Sequence, residues 1–470
     1  MSPGSIVMKF GGTSVADPDA IGRLVAIVGG DGAGTEQGRS RDVDQSPIVV
    51  VSALSGVTDK LIEVTRFAEQ GDGDRAATAL RALLDRHLAV ASAVTHESRD
   101  ATLAAVRAEF DELIGLVHAL AVLREVSPRS LDAVVATGEA VSSRIVAAAL
   151  ADAGVRSAWV DARRVLVTDA EHTAAAPDIT ATADRCRSVI WPSVVAGNVP
   201  VLAGFIGATA NGVTTTLGRG GSDYSAAIFG ACLDVGEIQI WTDVDGMLTA
   251  DPRVVPEPRL VPRLTFAEAS ELAYFGAKVL HPSTILPAVA KNIPVRILNS
   301  RRPGNAGTVI TAEGDSDSGA LTAIACKRNV TVVDITSTRM LMAHGFLRRL
   351  FEVFERFKTA VDVVTTSEVS VSVTVDDTRR LDGVVDNLRS FAEVSCEPEM
   401  AIICAVGENL RADPTLFASA VTALRGIPLR LVSQAAGRRN VTFVLRDADV
   451  PNAMTQLHDT FFAERSLSTH

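Results

Sequence analysis

The sequence predicts an α/β fold: a mostly parallel central sheet with helices on both faces, followed by two small α+β modules of ferredoxin-like size. Three observations carry this expectation. Short apolar runs alternate with long helical stretches up to about residue 300, the pattern of a parallel sheet with crossover helices. Glycines stand between an apolar strand and a helix at Gly11-Gly12 and again at Gly218, Gly220 and Gly221. α/β proteins use such turns to present backbone N–H groups to an anion. Beyond Gly307 the pattern changes to two similar βαββαβ-like units of roughly 70 residues each.

Taken in order, Ile6-Val-Met-Lys9-Phe10 reads as a short buried strand that ends in a lysine and Gly11-Gly12-Thr13-Ser14. Asp17, Pro18 and Asp19 then start a helix. Residues 29–46, rich in Gly, Asp, Ser and Arg, read as a surface loop, because no apolar helix follows their glycines. A second strand over 46–51 enters the small-residue turn 52–58, and helices follow over 60–70, 75–93 and 100–124. Further short apolar runs lie at 159–160, 199–205 and 237–241.

The second glycine loop, Thr214-Thr-Thr-Leu-Gly218-Arg219-Gly-Gly-Ser222-Asp223, carries one basic and one acidic side chain ahead of an apolar helix. Ser222 or Asp223 is placed to cap that helix. The loop lacks the Lys-Ser/Thr of a Walker phosphate loop and the GxGxxG spacing of a dinucleotide site. Phosphate handling is still the reading its glycines support.

At 470 residues the chain is long enough for two or three domains, and its 47% hydrophobic and 21% charged content is that of a globular protein. A net charge of −11 argues against nucleic acid or an anionic membrane surface as partner, so an anionic substrate needs local positive charge. The 5 cysteines form no CxxC pair and no cluster with histidine, which predicts neither zinc nor a disulfide framework. With no basic-then-apolar leader and no apolar run long enough to span a bilayer, the expected location is cytoplasmic.

Past Pro303 and the acidic stretch 311–319, the first small unit offers a strand at 330–336, a helix over 345–358 and strands at 360–365 and 369–375. The helix spaces Phe346, Leu347, Leu350, Phe351, Phe354 and Phe357 three and four apart, which predicts that this face is buried. The second unit offers a strand at 401–406, a helix over 413–425, strands at 428–432 and 440–445, and a last helix over 450–462. The expected domains are 1–310, 320–395 and 396–470.

Four blocks together resemble aspartate kinase in order and spacing. They are Lys9 to Ser14, Gly218 to Asp223, Trp241-Thr-Asp243-Val-Asp-Gly246 with Ala250-Asp-Pro-Arg253, and Phe275-Gly-Ala-Lys278-Val-Leu-His281-Pro282. The resemblance runs from about residue 6 to the C-terminus and implies an amino-acid kinase fold followed by a tandem pair of ACT modules that bind amino-acid effectors. It implies ATP-dependent phosphorylation of the β-carboxylate of L-aspartate to 4-phospho-L-aspartate, the first step toward lysine, threonine and methionine. No dinucleotide unit follows the second module, so the expectation is a monofunctional enzyme, a homodimer or homotetramer through its ACT modules.

By the same resemblance Arg219 clamps the substrate α-carboxylate, Glu139 takes its ammonium, and Ser52, Thr58 and Ser222 add hydroxyl contacts. Lys9 stabilises charge on the transferring phosphoryl group and Asp223 organises the site around it. Gly11, Gly12, Thr13 and Ser14 face the phosphates with Lys9; Thr242 and Asp243 meet the nucleoside, and Arg253 and Lys278 reach the phosphates. ATP arrives with Mg2+, which keeps waters and binds through phosphates, so no dedicated metal cage is expected. Taken singly, each residue also has a plain structural reading: a solvated lysine, a surface glutamate, a helix cap at Asp223, turn formers at Asp243 and Asp245. His281 reads as structural, since a carboxylate nucleophile is ionised at neutral pH and needs no base.

For the effector, Met340, Gly345, Phe346, Leu347, Asp362 and Ser367 resemble the lysine pocket of lysine-sensitive bacterial aspartate kinases, with Asp362 facing the ligand ammonium. Two departures stand out: Ala343 where a serine is expected, and Leu248 where the nucleotide segment more often has tyrosine. Threonine, both amino acids together, or no effector are alternatives. Two other functions share these residues: another amino-acid kinase, acting on glutamate or acetylglutamate, and a non-catalytic amino-acid sensor.

Overall fold

The computed structural model describes residues 5–30, 46–276, 282–313, 321–337, 344–408, 410, 413–434 and 438–462. It divides into two compact units, Met1–Met247 with Val279–Glu313, and Leu248–Lys278 with Gly314–His470.

In the first unit the sheet runs Ser157–Val160, Val199–Ala203, Ile48–Val51, Ile6–Phe10, Glu237–Thr242, Val295–Asn299 and Thr308–Thr311. Neighbours are parallel except the last pair, which is antiparallel. Strands covered on both faces read as unbroken apolar runs, and Ile48–Val51 is fully buried at every position. Phe10 is paired with Val51 on one side and Trp241 on the other, and its ring stacks on Trp241 at 5.9 Å. The carboxyl ends of four parallel strands, at Phe10, Val51, Ala203 and Thr242, therefore share one edge, and both glycine loops open there.

The expected helices lie at Pro18–Gly29, Val57–Glu69, Gly73–Val94 and Arg99–Leu123. The first is capped by Asp17, whose carboxylate accepts from the Ala20 N–H at 2.8 Å. The helix Pro128–Asp152 is long and apolar enough to cross a membrane, yet 78% of its apolar window is buried inside the protein. It is a core helix, opened by the Ser127 cap and Pro128. A small sheet of Val167–Thr168, Ile206–Thr209 and Thr214–Thr216 leads into the second glycine loop.

The second unit is built on a six-stranded antiparallel sheet, ordered Val364–Thr366, Ser370–Val375, Ala323–Thr336, Glu393–Val406, Asn440–Arg446 and Leu431–Gln434. Its two central strands are 14 residues each and cross both modules. A register shift between Lys327 and Val330, with Asn329 at φ 58°, divides them. Ala323–Lys327 thus lies beside Ile402–Val406 of the C-terminal module, while Thr331–Thr336 lies between Ser370–Val375 and the start of the other long strand. The first module is nested inside the second rather than simply preceding it.

Residues 248–278 group with this unit, and their packing says why. The Ile324 N–H donates to the Thr249 carbonyl at 2.8 Å, and Ala250 and Val255 bury against Ile324, Ala401 and Met454. The helix Phe346–Arg356 differs from the sequence expectation. It buries Leu350, Val353 and Phe354, leaves Phe346 and Phe357 partly covered, and exposes Leu347 and Phe351. The same core is shared with Leu381, Val384 and Leu388 of the helix Leu381–Arg389, so this helix buries only a narrow stripe and its flanking apolar residues stay at the margin.

Candidate active site

The site begins where the first strand stops. The Gly11 N–H donates to the Trp241 carbonyl at 3.1 Å and the Ser14 N–H to the Gly11 carbonyl at 2.9 Å, curling the chain into the one-turn helix Gly12–Ser14. Lys9, 8% exposed, projects into the cleft so formed, and its Nζ lies 2.7 Å from Asp223 Oδ1. That contact is one of charge, without hydrogen-bond alignment at Oδ1.

Asp223 is not the helix cap expected from the sequence. The helix Gly221–Leu233 starts earlier, with Gly220 as its N-cap in the left-handed region at φ 72° and no side-chain cap bond. Asp223 is left in the first turn, free of cap duty, where it meets Lys9. Arg219 precedes the cap on the exposed side of the loop and has no acidic partner among the described residues. A guanidinium fork in that state suits a carboxylate ligand.

Glu139 comes from the middle of the core helix and is 4% exposed. The Thr58 hydroxyl reaches its Oε1 at 3.5 Å, while Oε2 is buried with no hydrogen-bond partner among the described residues. Burial pushes its carboxyl up to about 8, against the opposing hydrogen bonds from the Ala53 backbone and Thr58. A buried, half-satisfied carboxylate at a cleft is the chemistry of a site that waits for a cation. The Ser142 hydroxyl, one turn further, donates to the Ser52 carbonyl at 2.7 Å and ties this helix to the turn after the second strand.

Lys9, Gly11, Gly12, Thr13, Ser52, Thr58, Glu139, Arg219, Ser222, Asp223, Thr242 and Asp243 all line one cleft of about 790 Å3. Two expected members among the described residues do not join it. Ser14 is buried, its hydroxyl within 3.2 Å of the Trp241 carbonyl and 2.8 Å of Ser300 Oγ, so it fastens the turn to neighbouring strands. Arg253 belongs to the second unit, its guanidinium forked onto Asp251 at 2.6 Å. Lys278 lies outside the described residues, as does His281. Asp245 is a turn former, held by Asn299 at 2.7 Å, Asn305 at 3.0 Å and Arg302 at 2.6 Å.

Asp132 and Thr216 also line the cleft and were not singled out from the sequence. The signal was present: Asp132 stands seven residues before Glu139, two helical turns along the same face.

In the second unit Asp362 is engaged. Its Oδ1 accepts from Lys327 Nζ at 2.7 Å and from the Tyr274 hydroxyl at 2.9 Å, and its Oδ2 is buried without a hydrogen-bond partner among the described residues. Gly345, at φ 82°, is the N-cap of the helix that begins with Phe346, whose ring meets Phe391 edge-on at 5.9 Å. Ser367 Oγ lies 2.6 Å from Ser370 Oγ, and Leu347 is 40% exposed. Met340 and Ala343 lie outside the described residues.

Comparison with known proteins agrees with this architecture. A family model for the amino acid kinase family matches residues 4–299 and one for the ACT domain matches residues 403–461. The chain is 36% identical over 471 residues to the chloroplastic aspartokinase 3 of Arabidopsis thaliana, covering 97% of this chain and 81% of that protein. It is 33% identical to the lysine-sensitive aspartokinase 3 of Escherichia coli, covering 97% and 99%. Among solved structures, E. coli aspartokinase III in complex with aspartate and ADP, described as the R-state, matches with a TM-score of 0.82 at 32% identity, over 97% of this chain and 99% of that one. Its complex with lysine and aspartate, the T-state, matches at 0.81. With the catalytic unit, the ACT modules and near full-length similarity in agreement, the chain belongs to the aspartokinase family.

Proposed function

We infer that this chain transfers the γ-phosphoryl group of ATP to the β-carboxylate of L-aspartate, giving 4-phospho-L-aspartate and ADP, under regulation by an amino acid bound to its ACT modules. The observation that carries the reading is Glu139: a buried carboxylate with one oxygen unpartnered among the described residues, in the same cleft as both glycine loops and Arg219, which has no acidic partner among them. An α-amino acid brings the two groups these lack, an ammonium for Glu139 and a carboxylate for Arg219. The E. coli relative solved with aspartate and ADP binds the same two ligand classes.

Aspartate held by its amino and α-carboxylate ends leaves only its β-carboxylate to face the nucleotide, which reduces the chemistry to positioning. That carboxylate is already ionised, so it attacks phosphorus without a general base. Charge then develops on the γ-phosphoryl oxygens as the bond to the β-phosphate oxygen breaks. Lys9, fixed by Asp223 at the head of the cleft, is the cation that meets it, joined by backbone N–H groups of the Gly11-Gly12 turn. Ser52, Thr58 and Ser222 supply hydroxyl contacts to the substrate, and Thr242 and Asp243 meet the nucleoside side.

Mg2+ enters with ATP and, when bound, neutralises phosphate charge. Of the carboxylates lining the cleft, Asp223, whose Oδ1 is buried without a hydrogen-bond partner among the described residues, and Asp243, beside Thr242 on the nucleoside side, would hold it. This fits an ion carried mainly by phosphates and water.

Lysine is the effector the site chemistry favours. What supports it is Asp362, a carboxylate already binding the ammonium of Lys327, together with the lysine complex of the E. coli relative. The edge strands Val364–Thr366 and Leu431–Gln434 end the regulatory sheet and carry the exposed Val364 and Val432, which supports assembly of copies through this unit.

The test is ATP-dependent acyl phosphate formation, trapped as the hydroxamate, with L-aspartate against L-glutamate. Aspartate-dependent product is expected. Well-folded protein that gives no product with any acidic amino acid would contradict the kinase reading and leave a binding module.

A further inference from the structure

The chain contains a second buried carboxylate on the Glu139 helix that touches neither the turn around Gly11 nor the Lys9 pair. Asp132 is 0% exposed and lines the cleft. Its Oδ1 accepts from the Thr216 hydroxyl at 2.5 Å, its Oδ2 from His172 Nδ1 at 2.7 Å, and both oxygens lie 3.1 Å from the Thr173 N–H. These donors come from two separate segments. Thr216 ends the strand that runs straight into Leu217, Gly218 and Arg219; His172 and Thr173 belong to the turn packed against it.

That packing is close. The Ala175 N–H donates to the Thr216 carbonyl at 2.9 Å, and a Cβ added at Gly218, itself at φ 75°, would stand 3.0 Å from the Thr173 carbonyl oxygen. Thr173 sits at φ 71°, a conformation that a threonine holds only when its surroundings impose it. The Asp132 bonds to its N–H and to the neighbouring imidazole are such a constraint. Glu139 lies two turns along from Asp132 on the same helix face.

We propose that Asp132 is a positioning residue that sets the location of Arg219 relative to Glu139, and so fixes the spacing between the carboxylate and ammonium handles that the site offers its substrate. One rigid helix then carries both references: Glu139 meets the ammonium directly, and Asp132 acts through Thr216 on the loop that holds the guanidinium. The inference rests on the aspartate reading above. It predicts that Asp132 governs recognition of the α-carboxylate and leaves the nucleotide side untouched.

The experiment uses the full chain with Asp132→Asn, and measures kcat, the KM for L-aspartate and for ATP, and inhibition by two truncated analogues. Succinate keeps both carboxylates and lacks the ammonium; 3-aminopropanoate keeps the ammonium and lacks the α-carboxylate. The KM for aspartate should rise by about tenfold or more while that for ATP stays within about twofold. Inhibition by succinate should weaken in parallel, and inhibition by 3-aminopropanoate should not. Parallel rises for aspartate and ATP, or equal weakening of both analogues, would assign Asp132 a merely structural role and overturn the proposal. Thr216→Val, which removes one bond and conserves volume, provides a second variant should Asp132→Asn not fold; a smaller rise in aspartate KM alone is expected, and an unchanged KM overturns the idea. Wild-type protein that does not turn over aspartate sinks the underlying reading as well. An active wild type with indifferent variants sinks this inference alone.

Discussion

Lys9 Nζ stands 2.7 Å from Asp223 Oδ1, joining the end of the first strand to the first turn of the helix behind the second glycine loop. Both side chains are largely withdrawn from solvent, so each fixes the other where an isolated charge would be costly. Lys9→Met should therefore lower kcat by about 100-fold or more, the typical effect of removing one preorganised electrostatic contact, with a much smaller change in aspartate KM. Steady-state hydroxamate kinetics checks it. A kcat within a few-fold of wild type would remove Lys9 from the reacting centre.

Glu139 gives a pH-dependent signature. Its carboxyl is raised from the ordinary 4.5 to about 8 by burial, so its protonated form belongs to the folded state. A raised carboxyl adds stability that is complete below about 4.5 and is lost as pH climbs through 8. Glu139→Gln should remove that loss, gaining up to about 4 kcal/mol over wild type at pH 8.5 and little at pH 5. It should also raise aspartate KM by about 100-fold. Denaturant unfolding at the two pH values measures the first effect; equal stability changes at both would refute it.

How much of this was legible in the sequence depends on how local the cause is. Asp17-Pro18 announces a helix because the cap bond to Ala20 spans three residues, and Gly11-Gly12 announces a turn because glycine permits close approach. The cap at Gly220 is not legible and the sequence points instead to Ser222 or Asp223, since a left-handed glycine cap leaves no side-chain signature. The grouping of 248–278 with the regulatory unit was not legible, because it is decided by contacts such as Thr249 with Ile324 and with His458, far along the chain. The 14-residue strands read as short ones because each carries a left-handed residue that interrupts its alternation, Asn329 in one and Glu399 in the other. Asp132 shares the periodicity of Glu139, but its partners Thr216 and His172 come from segments that only the fold brings together.

A second titration lies far from the cleft. His87 is 0% exposed, donates its Nδ1–H to the Leu83 carbonyl at 2.7 Å, and packs its ring on Phe110. Its Nε2 is buried without a partner among the described residues, and burial lowers it from 6.5 to about 4. A lowered histidine contributes stability that is intact above about 6.5 and is lost as pH falls through 4. His87→Leu should flatten the decline of stability between those values by about 3 kcal/mol. An unchanged slope from pH 6.5 to 4 would assign the acid sensitivity elsewhere.

Asp362 predicts the effector response. With Lys327 and Tyr274 already on Oδ1, a ligand ammonium must share or displace them. Asp362→Asn should raise the lysine concentration for half-inhibition by about tenfold or more, the loss of a charge-assisted contact. Inhibition curves with lysine and with threonine decide it, and an unshifted lysine curve would remove Asp362 from effector binding.

The most direct measurement of substrate recognition is the proton balance of aspartate binding. With its carboxyl at about 8, Glu139 is mostly protonated at pH 7 in the free protein, and pairing with an ammonium requires that proton to leave. Calorimetric titration of L-aspartate into the ADP-loaded protein at pH 7, in buffers of different ionisation enthalpy, should show release approaching one proton per site, absent in Glu139→Gln. Aspartate binding with no proton release in the wild type would contradict the assignment of Glu139 to the substrate ammonium.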